Sequence, residues 1–416
     1  MTAFDPVRAQ FSDVFVPLRP DSLGAVVATL SDAAAWRGKL AWNELDRRIV
    51  FRGTPPFASD DRTGDPLTDE DMDRIRLWFE SEPEVIVARR TVEDAVRLVA
   101  TENAYHPVRQ YLEGLTWDGT PRIDRWLETY AAVVPSSEAH ARMVRSVARR
   151  WLVSCIARAM DPGCKVDTML ILEGSQGIGK SSALRILGGD HYCDSVLDLR
   201  GKEACQTIMG VWIYELAELD AMLRREPSVT KAFLSRAVDR FRPPYGRVAE
   251  SVPRSVVFCG TVNHGGYLRD RTGNRRFWVV RCEGMLDLDG LLAARDALWA
   301  EARARYEAGE GWHLDREDEV VLREEHAARL DDDPWEETVA AWTAAHEGRI
   351  FGMNDVLELA LGLSSQGRNP TVTSRVSRIL EGLGFEKKRA MVGGRRQYFY
   401  SRRTVPYCPT ALLQPR

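Results

Sequence analysis

Residues 174–181, with the sequence GSQGIGKS, have the types and spacing of a phosphate-binding loop, G-x-x-x-x-G-K-[ST]. Glycines let the backbone curl so that successive N–H groups face an anion, and the positive end of the following helix adds to the attraction. Lys180 would then reach the β- and γ-phosphates of ATP, and the Ser181 hydroxyl would hold Mg²⁺. The residues predicted to contact this nucleotide are Gly174, Gln176, Gly177, Ile178, Gly179, Lys180, Ser181 and Ser182.

Hydrolysis of ATP needs a further acid beside the magnesium ion and a group that orients the attacking water. The apolar run 211–214 ends at Glu215, and Glu218 follows shortly after it. Because open α/β sheets bind ligands outside the carboxyl ends of their strands, we predict that Glu215 holds Mg²⁺ directly or through water. Water activation is assigned to Glu218 or Glu215, and the alternative for Glu218 is a solvated acid in a loop.

Groups that could sense or stabilise the γ-phosphate follow further along the chain. Asn263 comes soon after the apolar run 256–259, where an amide can hold the attacking water; the alternative is an Asn that caps a turn. Arg275 and Arg276 lead into another apolar run. Either guanidinium could stabilise the charge of the transition state, in cis or across a subunit boundary, and the alternative is a structural ion pair.

A stretch rich in cations and aromatic rings lies between these acids and Asn263. From Arg224 to Arg254 there are eight Lys or Arg against three acids. Cations bind phosphate regardless of base sequence, and aromatic rings can stack on bases. Contacts with DNA are therefore predicted for Lys231, Arg240, Arg242, Tyr245 and Arg247. Alternatively, the arginines reach a neighbouring subunit's nucleotide or brace the fold.

Four short apolar runs predict the strands that would position these groups, at 168–172, 211–214, 256–259 and 276–280. Their apolar residues are continuous rather than alternating, which is typical of parallel strands buried on both faces, and helical stretches separate the first three. The sequence therefore predicts an α/β fold whose core is a parallel-sheet P-loop ATPase domain. Helices are expected at 123–132 and 139–160 before this core and at 288–308 after it.

The flanking segments predict further domains. In the N-terminal region, Thr68 with Asp71 and Thr91 with Asp94 have the spacing of capped helix starts. The expected division is an N-terminal accessory α/β domain at 1–110, a helical, oligomerisation-type segment at 111–165, the P-loop ATPase domain at 166–312, a charged linker at 313–334 and a winged-helix-like domain at 335–416.

The C-terminal residues have the outline of a winged helix. Three helical stretches precede a predicted hairpin turn at 392–395, and the span 366–403 contains ten Lys or Arg against two acids. Arg375 and Arg378 would lie on the third helix, which is the one that enters a major groove in this fold. The alternative is a small protein-binding domain of the same outline.

Composition narrows the class of protein. The chain has 416 residues, a net charge of −4 and seven scattered cysteines without a C-x-x-C pair. Such cysteines favour reduced thiols in a cytoplasm over a disulfide frame or a structural metal site. No apolar run approaches the roughly 20 residues that span a bilayer, and the N-terminus lacks the apolar core of a secretory signal, so no membrane partner is expected.

Several ordered motifs resemble the virulence-associated protein E family, ATPases of phages and genomic islands related to superfamily 3 helicases. The resemblance covers most of residues 100–310. It rests on the loop at 174–181 together with HPVR at 106–109, WDG at 117–119, PGCK at 162–165, ELAEL at 215–219, KAFLS at 231–235, RPPYG at 242–246, GTVN at 260–263 and TGNRRFW at 272–278.

The resemblance implies an ATPase core of the AAA+ or superfamily 3 type that assembles into a ring, usually hexameric, and supports replication of mobile DNA. It implies that Glu215 belongs to the second acidic motif, that Asn263 is a sensor and that Arg275 or Arg276 is an arginine finger. Many relatives carry an N-terminal primase domain, but residues 1–100 are short for one and have no D-x-D or comparable pair of acids on a predicted strand. We therefore expect any primase to be a separate partner.

Three functions are weighed on this basis. The favoured one is a DNA-dependent ATPase and ring-forming replicative helicase that acts on single-stranded or forked DNA. The second is an initiator or regulator in which ATP switches DNA binding without unwinding. The third, a small-molecule P-loop kinase, lacks a recognisable acceptor site and would have no need of the basic stretches.

Overall fold

Helices and strands alternate along most of the chain. The computed structural model describes residues 19–81, 86–199, 201, 203–216, 219–225, 227–242, 249–263, 268, 273–329, 335–363, 369–392 and 395–402. The strands are β1 (Leu40–Asn43), β2 (Arg48–Phe51), β3 (Met169–Glu173), β4 (Tyr192–Cys193), β5 (Ile213–Leu216), β6 (Val238–Phe241), β7 (Glu250–Pro253), β8 (Val257–Val262), β9 (Phe277–Arg281), β10 (Phe351–Gly352), β11 (Phe385–Val392) and β12 (Arg395–Arg402).

The α-helices are α1 (Leu23–Asp32), α2 (Asp69–Glu80), α3 (Arg89–Glu102), α4 (Pro107–Glu113), α5 (Trp126–Tyr130), α6 (Glu138–Met160), α7 (Lys180–Gly188), α8 (Ala204–Thr207), α9 (Leu219–Arg225), α10 (Pro227–Leu234), α11 (Leu288–Glu307), α12 (Arg316–Ala327), α13 (Glu336–Ala345), α14 (Met353–Asp355) and α15 (Pro370–Gly382). Among these described helices, none is long and apolar enough to cross a membrane.

Five of the strands form one sheet in the order β4-β5-β8-β3-β9, and every neighbouring pair is parallel. Four of them confirm the strands predicted from apolar runs, each beginning one or two residues later than expected. The edge strand β4 was not predicted, because a strand of two residues is too short to leave a pattern in the sequence. The α/β class is confirmed.

Side chains of the central strands alternate between two apolar layers. Leu170 and Leu172 of β3 point into a core that also contains Trp151 of α6 and Trp299 of α11. Met169 and Ile171 point into a second core, on the side of α9 and α10. This alternation is the period of two of a strand, and it explains why β3 is apolar throughout. Both faces of the sheet are therefore covered.

The segment expected to be a charged linker, 313–334, contains the helix α12. The Asp315 side chain caps its start by accepting from the N–H of Asp318. Asp318 is buried and pairs with Arg142 of α6 at 3.2 Å, and His326 lies 2.7 Å from the carbonyl oxygen of Phe277. The linker assignment is corrected for this part: its charges suggested solvent exposure, but their partners lie on other elements of the core.

The N-terminal region packs helices on a two-stranded antiparallel sheet of β1 and β2. The capping box of Thr68 and Asp71 at the start of α2 is confirmed. The corresponding prediction for Thr91 is wrong, because the N-cap of α3 is Ala88, three residues earlier, and it makes no side-chain cap. Asp94 pairs instead with Arg97, at 2.8 Å.

The turn between β1 and β2 touches the central region. The N–H of Gly210 donates to the carbonyl of Leu45 at 3.1 Å, and Leu45 is part of the core around β3. Arg47 pairs with Glu250, the first residue of β7, at 2.7 Å. The N-terminal region therefore contacts the hairpin formed by β6 and β7.

The C-terminal residues combine helices with a three-stranded antiparallel sheet of order β10-β12-β11. The pair Val392–Arg395 closes the hairpin of β11 and β12, and the turn residues 393–394 lie outside the described structure. Arg375 lies on α15 with its guanidinium 3.9 Å from the centre of the Trp335 ring. The side chain of Arg378 is outside the described part.

Candidate functional site

The loop 174–181 joins the carboxyl end of β3 to the amino end of α7. Gly177 and Gly179 have φ angles of 82° and 98°, in the left-handed region that favours glycine. A Cβ at Gly174 would lie 2.7 Å from the carbonyl oxygen of Cys282, which is closer than non-bonded atoms approach. Three glycines of the predicted motif are thus required by backbone conformation or by close packing.

Lys180 lies at the centre of this loop and is only 6% exposed. Its Nζ donates to the carbonyl oxygens of Gly174 at 2.7 Å and Ser175 at 2.8 Å, and it lies 3.3 Å from Oδ1 of Asn263. Burial lowers the pKa of this amine. The loop therefore wraps around the ammonium, and the end of β8 brings Asn263 beside it.

Glu215, at the carboxyl end of β5, is buried and accepts hydrogen bonds from three hydroxyl groups. Ser181 donates to Oε1 at 2.8 Å and Thr261 of β8 donates to the same oxygen at 2.7 Å. Tyr192 of β4 donates to Oε2. The carboxylate is thus held by groups from α7, β8 and β4, and it lies against the serine that follows Lys180.

Two of these residues, Tyr192 and Thr261, were not predicted. Thr261 lies within the GTVN segment that also contains Asn263, so its position between a strand and a predicted sensor was an available indication. Tyr192 had none, because only the pairing of β4 with β5, with Tyr192 opposite Ile213, brings its ring toward Glu215. Glu218 lies outside the described residues.

Arg275 and Arg276 are not near the loop; they lie at the opposite, amino end of the sheet, just before β9. Arg276 donates to Oγ of Ser235 at 2.9 Å, and Arg275 lies 3.6 Å from Asp167, which precedes β3. The five residues of β3 correspond to about 16 Å at the rise of a parallel strand. Arg275 is 62% exposed, whereas Arg276 is largely covered.

The predicted DNA-binding residues have different surroundings. Lys231 is 8% exposed and its Nζ lies 5.9 Å from the centre of the Phe277 ring, so this prediction is corrected: the side chain is inside the domain. Arg240 of β6 and Arg242 just after it are exposed. Tyr245 and Arg247 lie outside the described residues.

The base of the hairpin formed by β6 and β7 contains buried charged residues. Arg254 forms two hydrogen bonds to the carboxylate of Asp239, at 2.5 and 2.8 Å, and a third to the carbonyl of Phe233 at 2.7 Å. Arg158 of α6 donates to the carbonyl of Arg254 at 2.9 Å, and burial lowers its pKa to about 10. These cations brace the base of the hairpin.

Residues 112–331 match the family model described as a virulence-associated protein E-like domain. The match spans 220 of the 416 residues and contains the loop, Glu215, Asn263 and both arginines. The chain belongs to this family. The matched range also contains α12, so the family domain continues well past residue 312 and through most of the segment that was expected to be a linker.

Solved structures also align with most of the chain. The apo structure of the NrS-1 C-terminal region covers 90% of this chain and 98% of its own, with 10% sequence identity and a TM-score of 0.46. The A form of the apo NrS-1 C-terminal region covers 89% of this chain and 98% of its own, with 12% identity and a TM-score of 0.44. No curated protein matches the chain.

Proposed function

We propose that this protein is a DNA-dependent ATPase and ring-forming helicase, acting in the cytoplasm in the replication of a phage, prophage or genomic island. The convergence of Lys180, Ser181, Glu215 and Asn263 at the carboxyl ends of β3, β5 and β8 carries the proposal. These are a cation for phosphate, an oxygen pair for a divalent ion and an amide beside the cation. That set is what phosphoryl transfer to water requires.

In this proposal Ser181 and Glu215 hold Mg²⁺, which would neutralise charge that develops on the transferred phosphoryl group. The chemistry of the donors fits, since Mg²⁺ takes oxygen ligands and these two oxygens lie 2.8 Å apart. We assign Glu215 to the magnesium ion, which it would contact directly or through a bound water. Hydroxyl groups fix the position of both of its carboxylate oxygens. Glu218 remains a candidate for water activation, and Asn263 for sensing the γ-phosphate.

The proposed finger, Arg275 or Arg276, would act on the nucleotide of a neighbouring subunit. The separation of about 16 Å along β3 supports action in trans over action within one chain. Arg275 is the better candidate, because most of its side chain is exposed and its contact with Asp167 is long at 3.6 Å. This assignment requires a homo-oligomer, for which we propose a hexameric ring.

DNA would contact the hairpin of β6 and β7 through Arg240 and Arg242. Both arginines are exposed. The buried ion pair of Arg254 with Asp239 at the base of the hairpin would hold the hairpin in position while it contacts DNA. We propose that residues 335–402 form a winged-helix-like domain and that residues 19–110 form an accessory domain. A primase, where one is needed, would be a separate protein.

The alternative function is an ATP-switched DNA-binding initiator without unwinding activity. The antiparallel hairpin of β11 and β12 that follows α15, with exposed Lys387 and Arg389 on β11, is the observation that favours it. In this case the C-terminal domain would bind an origin and ATP would drive assembly.

The test combines ATP hydrolysis with strand displacement. We expect single-stranded DNA to stimulate ATP hydrolysis, mass photometry to show a ring, and a forked duplex to be unwound. ATP turnover and DNA binding without strand release would favour the initiator, and a monomer without DNA stimulation would contradict both.

The DNA surface is tested with a matched pair of double variants. Arg240→Ala with Arg242→Ala should weaken DNA stimulation, whereas Arg90→Ala with Arg97→Ala, on the exposed face of α3, should leave it unchanged. Equal behaviour of the two double variants would exclude the hairpin as the DNA contact.

A further inference from the structure

Tyr192 connects the edge of the sheet to the candidate magnesium ligand. It lies on β4, opposite Ile213 of β5, so that its ring extends along the sheet toward Glu215. Its hydroxyl donates to Oε2 of Glu215, whereas Ser181 and Thr261 both donate to Oε1. Among the described residues, Tyr192 is thus the donor that fixes the second carboxylate oxygen.

The ring of Tyr192 is itself held in place. The guanidinium of Arg185, on α7, lies 4.9 Å from the ring centre, and Arg185 pairs with Asp194 at 2.7 Å. A tyrosine hydroxyl is protonated at neutral pH, so it can donate to the Glu215 carboxylate. The ring of Tyr192 therefore packs against Arg185 of α7, the helix that follows the phosphate loop, and its hydroxyl is held in position as a donor.

We propose that Tyr192 is a positioning residue that orients the Glu215 carboxylate for magnesium and water during ATP hydrolysis. This inference rests on the proposed function. If Ser181 turns toward a magnesium ion, Thr261 remains on Oε1 and Tyr192 on Oε2, and two donors still prevent the carboxylate from rotating. With only Thr261, Glu215 could pivot about a single oxygen.

Tyr192→Phe is the test, because it removes the hydroxyl and keeps the ring beside Arg185. Partners that orient metal ligands typically account for about 10–100-fold in activity or metal affinity. We expect kcat to fall within that range, the magnesium concentration for half-maximal rate to rise, and KM for ATP to change less than about threefold. Binding of a fluorescent ATP analogue to the full chain should be unchanged.

Tyr111→Phe is the matched control. The Tyr111 hydroxyl also donates to a carboxylate, that of Asp296 at 2.5 Å, on α11 away from the loop. The Tyr111→Phe variant should have the same kcat and the same magnesium dependence as the unaltered protein. If Tyr192→Phe behaves like this control while the unaltered protein hydrolyses ATP, the inference is wrong and the proposed function stands.

Two further results would show whether the proposed function or only the role of Tyr192 fails. Absence of ATP turnover in the unaltered protein would overturn both the proposed function and the role of Tyr192. Loss of analogue binding together with a lower melting temperature in Tyr192→Phe would mean that the hydroxyl supports the fold alone, which also overturns the inference.

Discussion

The two ends of the parallel sheet use charged residues in different ways. At the carboxyl end, Lys180 contacts two backbone carbonyls and an amide, and Glu215 accepts from three hydroxyls. At the amino end the cations face acids, as in the buried pair of Arg254 and Asp239. Uncharged partners are exchanged for a phosphate or a metal ion at lower cost than an opposite charge, so Lys180 and Glu215 are suited to a ligand. Ion pairs are suited to bracing, and one of them, Arg329 with Glu173, also lies at the carboxyl end, directly before the loop.

Arg275 at the amino end is more weakly paired than Arg254. It is largely exposed, and its nearest acid, Asp167, is shared with Arg276 at 3.8 Å and with Lys165 at 3.7 Å. We therefore expect a ligand to bind where Lys180 and Glu215 have uncharged partners, and ion pairs to brace the fold, with Arg275 exposed enough at the amino end to reach a second subunit.

The largest effect is expected from Lys180→Ala. Removing the cation at the centre of the loop should abolish ATP turnover, a loss of about 10³-fold or more in kcat, while the melting temperature changes little. Steady-state ATPase assays measure the loss. Lys39→Ala, which changes a half-buried lysine of the N-terminal region, is the control, and activity retained by Lys180→Ala would reject the phosphate-loop assignment.

The next effect concerns Arg275. Arg275→Ala should lower kcat by about 10²–10³-fold without affecting nucleotide binding. Mixing it with Lys180→Ala should restore part of the activity, since a loop from one variant then meets an arginine from the other. An arginine acting within its own chain would give no restoration on mixing. The same experiment with Arg276→Ala identifies which of the two residues is the finger.

Arg254→Ala tests bracing at the amino end. It leaves the carboxylate of Asp239 buried without its bidentate partner, so the free energy of unfolding should fall by about 3–5 kcal/mol. Urea denaturation followed by tryptophan fluorescence measures this change. Arg240→Ala, an exposed neighbour on β6, should stay within about 0.5 kcal/mol of the unaltered protein, and a similar loss in both variants would argue against a specific brace.

The smallest effect is a pH dependence from His326. Burial lowers its pKa, so the unfolded chain binds a proton more readily than the folded one. Its contribution to stability is complete above the ordinary histidine pKa of about 6.5 and is lost as the pH falls below it, by at most about 1.4 kcal/mol per pH unit. Melting temperatures of His326→Gln should fall less steeply between pH 7 and 5 than those of the unaltered protein. Parallel curves would contradict this assignment.

Sequence patterns succeeded where the determinants are local. The capping box at Thr68, the buried strand before the loop and the glycines of the loop depend on residues a few positions apart, and they were predicted. Sequence patterns failed where the burial of a residue depends on partners far away in the chain. The helix α12 was taken for a linker because its charges are visible in sequence while Arg142 of α6, which pairs with Asp318, is not.

Lys231 is a second case in which the sequence did not indicate burial. It lies in a basic stretch, so it was predicted to contact DNA, yet it is buried beside the ring of Phe277. The count of cations in a segment does not indicate which of them face solvent. On β6, by contrast, Arg240 alternates with the buried Asp239 and Phe241, and a strand alternates its faces by geometry alone.

The sequence by itself determined that residues 174–181 form a glycine loop between a buried strand and a helix, because turn conformation and helix start are set within a few residues. Only the tertiary structure decided which groups surround Glu215, above all that Tyr192 of the edge strand β4 and Thr261 of β8 reach its carboxylate. Those relations depend on the order β4-β5-β8-β3-β9, which brings together residues far apart in the chain. Strand order is fixed by the packing of the whole domain, and no local spacing encodes it.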